Sequence, residues 1–149
     1  MKRFFVFSFL LVVVCATSCS LGREKKARHI TYQEYIDNIW DFEKHPDTFV
    51  FKGNTAVIID FYSKNCRPCM MLLPIMEKMA EDYDGDLTVY KVNVDEEPAL
   101  AKAFRVKGLP VLFFIPTSGK SIKRHDGLPS ESDLRYIIEN QLLDHSKQK

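Results

Sequence analysis

The chain has 149 residues, of which 46% are hydrophobic and 28% are charged, as expected for a single globular domain of ordinary composition. Its formal net charge is +1, so electrostatics give no reason to expect a nucleic-acid-binding protein. A chain of this length can bury a core without a disulfide or metal staple, and its four cysteines therefore need another explanation.

The N-terminal residues are typical of an export signal. A short basic start precedes an apolar run at residues 4–14. That run is shorter than the roughly 20 residues of a spanning helix and matches the hydrophobic region of a signal peptide. The sequence ATSC at 16–19 resembles a bacterial lipobox, with alanine where leucine is usual. Cys19 fits the lipidated position better than Cys15, because small residues precede Cys19.

We therefore expect a lipoprotein signal peptide at 1–18, a tether at 19–29 and the folded domain at 30–149. Removing residues 1–18 takes away two basic and no acidic residues, so 19 basic and 20 acidic residues remain and the net charge becomes −1. Bacterial export would place the domain in an oxidising compartment, on the periplasmic face of a membrane. Cleavage without lipidation would leave it soluble in the periplasm, and an uncleaved anchor is a third alternative.

Predicted helices and strands alternate after the tether. The sequence AVIIDFY is nearly continuously apolar, which is typical of a strand buried on both faces. Thr31 and Ser130 are predicted N-caps, since an acidic residue follows each of them three positions later. Pro74 is expected to kink the helix that contains it. The predicted elements are helix 30–43, strand 56–62, helix 67–83, strand 86–94, helix 97–104, strands 110–115 and 120–127, and helix 130–143.

This alternation predicts an α/β fold with a mixed central sheet and helices on both of its faces. Strands separated by helices indicate parallel crossover units, whereas the two strands joined by the turn PTSG indicate an antiparallel pair. The chain shows no internal repeat and no low-complexity tract.

Cys66 and Cys69 lie in the stretch FYSKNCRPCMMLLP, between the predicted strand and helix. The pair can be half of a zinc site, a structural disulfide or a redox couple. A zinc site needs four ligands, but the other cysteines belong to the export segment and the four histidines are scattered. A structural disulfide at this spacing closes a loop too small to remove much chain entropy.

The redox interpretation has a direct physical basis. Cys66 immediately precedes a predicted helix, so its sulfur faces unpaired N–H groups and the positive end of the helix dipole, and Arg67 adds a positive charge. This environment favours the nucleophilic thiolate. Cys69, one turn further along, can attack a mixed disulfide and release the substrate, while Pro68 stiffens the turn between them. No metal and no cofactor is expected.

Five motifs in the correct order resemble the thioredoxin family over residues 30–145. They are DFYSKNCRPC, the proline five residues after the second cysteine, KVNVDEEP, VKGLP, and Gly127 before the last helix. The resemblance implies a thioredoxin fold and thiol–disulfide exchange. It implies that Cys66 is the exposed nucleophile and that Cys69 is the resolving thiol.

The resemblance also implies supporting catalytic residues. Asp60 corresponds to a buried acid that moves a proton to or from Cys69, and burial would raise its pKa toward the working range. Lys91 corresponds to the lysine that pairs with this acid. Leu109–Pro110 corresponds to a cis-proline bond packed against the disulfide, which leaves the backbone of Leu109 free to pair with an extended substrate.

The expected substrate surface surrounds the cysteines. It consists of Tyr62, Asn65, Arg67, Pro68, Gly108, Leu109 and Gly127. Tyr62 and Asn65 occupy positions where the family usually has tryptophan, and Arg67 replaces its commonest glycine, so the rim is more polar. Trp40 is the only tryptophan. It is expected in the core of the first helix, with a weak fluorescence response to redox state.

We therefore expect a monomeric, membrane-tethered oxidoreductase that reduces disulfides in exported proteins and receives electrons from a membrane donor. Arg67 favours an oxidising pair, whereas Pro68 and the Asp60/Lys91 pair favour a reducing one. Oxidase or isomerase activity is therefore an alternative. Another is a reductant for cytochrome c maturation, although that branch usually carries an insertion where this chain has only EDYDGD. A non-enzymatic thioredoxin-fold adaptor is the alternative outside enzymes.

Overall fold

A computed structural model describes residues 26–143. The predicted signal peptide, Cys19 and the first part of the tether lie outside the described residues. The elements are β1 (Arg28–His29), α1 (Tyr32–Asn38), β2 (Ala56–Tyr62), α2 (Arg67–Asp82), β3 (Leu87–Asn93), α3 (Pro98–Ala103), β4 (Val111–Ile115), β5 (Lys123–Asp126), α4 (Glu131–Ile137) and a π-helical turn (Ile138–Leu142).

The sheet has five strands in the order β1-β3-β2-β4-β5. β1, β3 and β2 are parallel to one another, whereas β4 runs antiparallel to β2, and β5 antiparallel to β4. All seven residues of β2 are buried, as its continuous apolar sequence predicts for a central strand covered on both faces. The predicted mixed sheet is confirmed.

Two apolar clusters cover the two faces of this sheet. On the α2–α4 face, the side chains of Ile58 and Val89 pack under Leu72 and Met76 of α2 and Leu134 of α4. On the α1–α3 face, an aromatic-rich cluster joins the sheet to α1 and α3. Its residues include Tyr35, Ile59, Phe61, Leu100 and Phe113, with Phe104 packed against them. Successive residues of β2 therefore point to opposite clusters.

Several predicted ends differ from the structure. The predicted strand 120–127 spans only Lys123–Asp126, and the predicted helix 130–143 is α-helical to Ile137 and then continues as the π-helical turn. The tether was expected to reach residue 29, but Arg28 and His29 form β1 and pair with β3. The first helix was expected to run to residue 43, but α1 ends at Asn38. The carbonyl of Ile39 accepts a hydrogen bond from Lys52 N at 2.9 Å, so it is not available to continue the helix. Trp40 consequently lies beyond the helix.

The other helices match their predictions in position. Both expected N-caps, Thr31 and Ser130, form complete capping boxes with Glu34 and Asp133. Pro74 lies inside α2 without ending it. Within residues 26–143, no helix combines the length and the apolar character that crossing a membrane requires.

Candidate active site

Cys66 and Cys69 form a disulfide at the N-terminal end of α2. Their sulfur atoms are 2.06 Å apart and their Cα atoms 5.3 Å apart. Cys66 is the N-cap residue, and its Sγ accepts a hydrogen bond from the backbone N–H of Cys69 at 3.2 Å. Cys66 is half-buried, whereas Cys69 is fully buried. A partner can therefore reach the first sulfur but not the second, and the roles of Cys66 as nucleophile and Cys69 as resolving thiol stay predictions.

The loop before the cysteines is held by Ser63, a residue that the sequence analysis did not single out. Its hydroxyl donates to Asp95 at 2.6 Å and accepts from Asn65 N at 3.2 Å. Its carbonyl accepts from Cys66 N at 3.1 Å. A serine that directly follows a strand often accepts a hydrogen bond from the backbone N–H two residues later, which forms a local turn. This pattern could have identified Ser63 from the sequence.

Asp60 is buried in β2 and shares a sheet face with Ile58, beneath α2. Neither of its carboxyl oxygens has a hydrogen-bond partner among residues 26–143. Burial raises the pKa of Asp60 from 3.8 to about 7, and the positive charge of Lys91 opposes that rise. The carboxyl group thus changes its protonation state near neutral pH.

Lys91 has a different partner from the one that the resemblance implied. It lies directly opposite Asp60 in the β2–β3 register. However, its Nζ forms an ion pair with Glu77 Oε1 of α2 at 2.6 Å, and its influence on Asp60 is Coulombic only. The other oxygen of Glu77 accepts from Ala27 N at 3.0 Å. Glu77 was not predicted, because no local spacing relates a mid-helix glutamate to a strand fourteen residues later.

The predicted proline loop is bonded to the loop that precedes the last helix. The Leu109–Pro110 peptide bond is cis. Gly127 has a φ of +91°, which favours glycine, and its N–H donates to Pro110 O at 2.9 Å. This bond brings the loop before the last helix to the proline. Pro110 is buried, whereas Gly108 is exposed and Leu109 half-buried.

The expected rim residues divide by exposure. Asn65, Arg67 and Pro68 are exposed around the disulfide and are available to a partner. Tyr62 is only 4% exposed, and its ring lies 5.8 Å from that of His29. The Tyr62 ring, predicted to form an aromatic wall on the substrate surface, is therefore buried in the protein.

Comparison with known proteins agrees with this geometry. The family model for thioredoxin matches residues 41–140. The chain belongs to the thioredoxin family. It is 37% identical over 111 residues to a thioredoxin from Borreliella burgdorferi, and the match covers 74% of this chain and 93% of that protein.

Solved thioredoxin structures match the fold over nearly their whole length. A mutant thioredoxin from Halobacterium salinarum aligns with a TM-score of 0.61 and 32% identity, covering 79% of this chain and 92% of that one. Chloroplastic thioredoxin z aligns with a TM-score of 0.62 and 29% identity, covering 76% and 92%. With the Cys66–Cys69 pair in place, this member of the family is a thiol–disulfide oxidoreductase.

Proposed function

We propose that this protein reduces disulfides of exported proteins while a lipid on Cys19 holds it at the periplasmic face of a bacterial membrane. The redox part of the proposal is supported above all by the half-exposed sulfur of Cys66 at the start of α2, with Asp60 buried on the same side of the sheet. The cellular part is supported by the apolar run at 4–14 and by the lipobox-like ATSC.

The proposed reaction is two successive thiol–disulfide exchanges. The thiolate of Cys66 attacks one sulfur of a substrate disulfide, the substrate S–S bond breaks, and the second substrate sulfur leaves as a thiolate that takes a proton. Cys69 then loses its proton to the carboxylate of Asp60 and attacks Cys66 Sγ. The mixed disulfide breaks, the Cys66–Cys69 disulfide forms, and the substrate leaves with both sulfurs reduced.

Each turnover oxidises the protein by two electrons, so continued reduction requires a donor. In an oxidising compartment we assign this role to a dithiol protein of the membrane, which would attack the exposed side of the Cys66–Cys69 disulfide. The substrate segment would lie across Gly108, Leu109 and Gly127, beside the disulfide.

The reduction potential of the pair decides the direction. We expect a value of about −250 mV or lower after equilibration with dithiothreitol, near the roughly −270 mV of thioredoxin. A value of about −150 mV or higher would overturn the reductase proposal. It would make the protein an oxidase or isomerase, as the positive charge of Arg67 favours.

The anchor is tested separately by labelling cells with a radioactive or clickable fatty acid. The full chain should incorporate the label and remain in the membrane fraction, whereas the Cys19→Ser variant should lose both properties. Cys15→Ser is the matched control and should behave as wild type. Equal labelling of the C19S variant would refute lipidation at this cysteine.

A further inference from the structure

Glu77 lies between two elements that approach α2 from the sheet. Its Oε1 accepts from Lys91 Nζ of β3 at 2.6 Å, and its Oε2 accepts from Ala27 N, next to β1, at 3.0 Å. The Lys91 side chain is 13% exposed and that of Glu77 is 38% exposed, so the ion pair is partly shielded from solvent, on the Lys91 side. Both oxygens of Glu77 are engaged, which fixes the position of its carboxylate.

The position of Lys91 matters because its neighbour across the sheet is Asp60. Asp60 lies opposite Lys91 across the β2–β3 ladder, so the two side chains leave the sheet on the same face. Nevertheless, the ammonium group is bonded to Glu77, and both oxygens of Asp60 lack a hydrogen-bond partner among the described residues. Two acids therefore compete for one cation, and the one on α2 holds it.

We propose that Glu77 is a positioning residue that holds the Lys91 ammonium away from Asp60 and thereby sets the pH at which Asp60 gains or loses its proton. The inference rests on the proposed proton-transfer role of Asp60. Without Glu77, Lys91 is free to pair with Asp60, and such a pair favours the carboxylate form of Asp60. The proton would then leave Asp60 at a lower pH.

Among the groups that surround Asp60, Glu77 and Lys91 are the charges that matter for its protonation. On the β4 side, the residue opposite Asp60 is the apolar Leu112. On its own strand, Tyr62 responds to the charge of Asp60, which contributes to raising the pKa of Tyr62. In β1, His29 pairs with Lys91 in register, and its ring contacts Tyr62. The α2 helix, which covers this face, carries Glu77 and the buried Cys69, and Cys69 is held in the disulfide.

The test is a titration of the Asp60 carboxyl carbon by NMR in the full oxidised protein, with Asp60→Asn to identify the resonance. In Glu77→Gln we expect the pKa of Asp60 to fall by about 1, the lower end of what a new opposite charge within a few ångströms produces. The amide oxygen of the E77Q variant can still accept from Ala27, so β1 keeps its support. An unchanged Asp60 pKa would overturn the proposal.

Glu81→Gln is the matched control. Glu81 is exposed one turn further along α2, and it makes no hydrogen bond or ion pair with Lys91 among residues 26–143. The E81Q variant removes the same charge from the same helix and should leave the Asp60 pKa unchanged. A fall equal to that in E77Q would mean that net charge, not the position of Lys91, is responsible, and would overturn the proposal.

A double variant isolates the route through Lys91. In a Lys91→Met background, adding E77Q should no longer lower the Asp60 pKa, because no cation remains to be released. An equal fall in both backgrounds would show that Glu77 acts directly on Asp60 and would contradict positioning. If E77Q does not fold, Glu77→Ala in the same two backgrounds gives the same comparison.

This titration needs no substrate and no electron donor. A protein that shows the expected pKa changes but does not reduce disulfides would refute the proposed function and leave the role of Glu77 intact. A protein that reduces disulfides with an Asp60 pKa independent of Glu77 would do the reverse.

Discussion

Each face of the sheet buries one polar side chain whose oxygens have no hydrogen-bond partner among residues 26–143. On the α2–α4 face it is the carboxyl of Asp60, and on the α1–α3 face it is the hydroxyl of Tyr35. Burial raises the pKa of both groups, for the same physical reason. The pKa of Asp60 reaches about 7, whereas that of Tyr35 moves further above its ordinary value of 10.0. Of these two groups, only Asp60 can therefore exchange a proton at physiological pH.

The surroundings of the two groups explain why one face is suited to chemistry. Tyr35 packs among aromatic rings, with the centroids of Phe42 and Phe104 at 5.9 and 5.2 Å. Asp60 has Lys91 beside it, and the disulfide lies in the helix above its face. Unsatisfied burial alone thus creates a stability cost. Burial beside a charge and a disulfide instead creates a carboxyl group that can exchange a proton during thiol–disulfide chemistry.

The largest effect is expected at the cysteines. Replacing Cys66 by serine should lower disulfide-reduction activity by at least about 10³-fold, because the attacking thiolate is removed. Replacing Cys69 should instead trap a mixed disulfide between Cys66 and the substrate, visible on a non-reducing gel. Insulin reduction with dithiothreitol measures the first effect. A C66S variant that lost this reductase activity but kept the full biological activity of the protein would favour the adaptor alternative.

Asp60→Asn should remove a pH dependence of stability that the wild-type protein shows. A carboxyl with a pKa of about 7 in the folded protein keeps a proton that the unfolded chain releases above its ordinary pKa of 3.8. The free energy of unfolding of the wild-type protein therefore falls as pH rises from about 4 to about 7. Above that range D60N should be more stable than wild type by about 4 kcal/mol, and below pH 4 the difference should disappear.

Urea unfolding of wild type and D60N at both ends of this range measures the effect. A constant difference between the two proteins at all pH values would contradict the raised pKa of Asp60. Cys69 must remain in the disulfide throughout, so the comparison is made on oxidised protein.

Tyr35→Phe is the matched change on the other face. It removes a buried hydroxyl that has no hydrogen-bond partner among the described residues, and it retains the ring that packs against Phe42 and Phe104. We expect stability to be unchanged or to rise by up to about 1 kcal/mol, equally at pH 4 and pH 8. Denaturant unfolding at both pH values gives the answer. A loss of more than about 1 kcal/mol would show that the hydroxyl has a partner in solution.

The smallest effect is expected from the fluorescence of Trp40. Its indole N–H donates to Thr48 O at 3.0 Å, and its ring packs against Phe42 and Phe49 on the α1–α3 face. The disulfide belongs to the other face, so reduction should change the emission only slightly. Emission before and after dithiothreitol, with thiol titration as the control for reduction, tests this. A several-fold change would contradict the separation of the two faces.

The sequence predicted what depends on local pattern and on family motifs. β2 was predicted because its seven residues are apolar enough for the centre of a sheet, and the two capping boxes because their spacing is local. β1 was missed because it has only two residues, both exposed and basic, and its pairing with β3 is non-local. The Glu77–Lys91 ion pair was missed for the same reason, since it joins a helix to a strand across the fold.

The hydrogen bond from the Cys69 amide to Cys66 Sγ has a consequence for the rate of turnover. In the oxidised protein Cys66 Sγ caps the helix by accepting a hydrogen bond from this N–H, which is therefore already directed at the atom on which negative charge appears after reduction. When the disulfide is reduced or reformed, the charge at the N-terminal end of α2 therefore changes without any new hydrogen-bond donor having to move into place. We expect the reorganisation energy of the site to be small, so that encounter with the partner protein governs the speed of exchange.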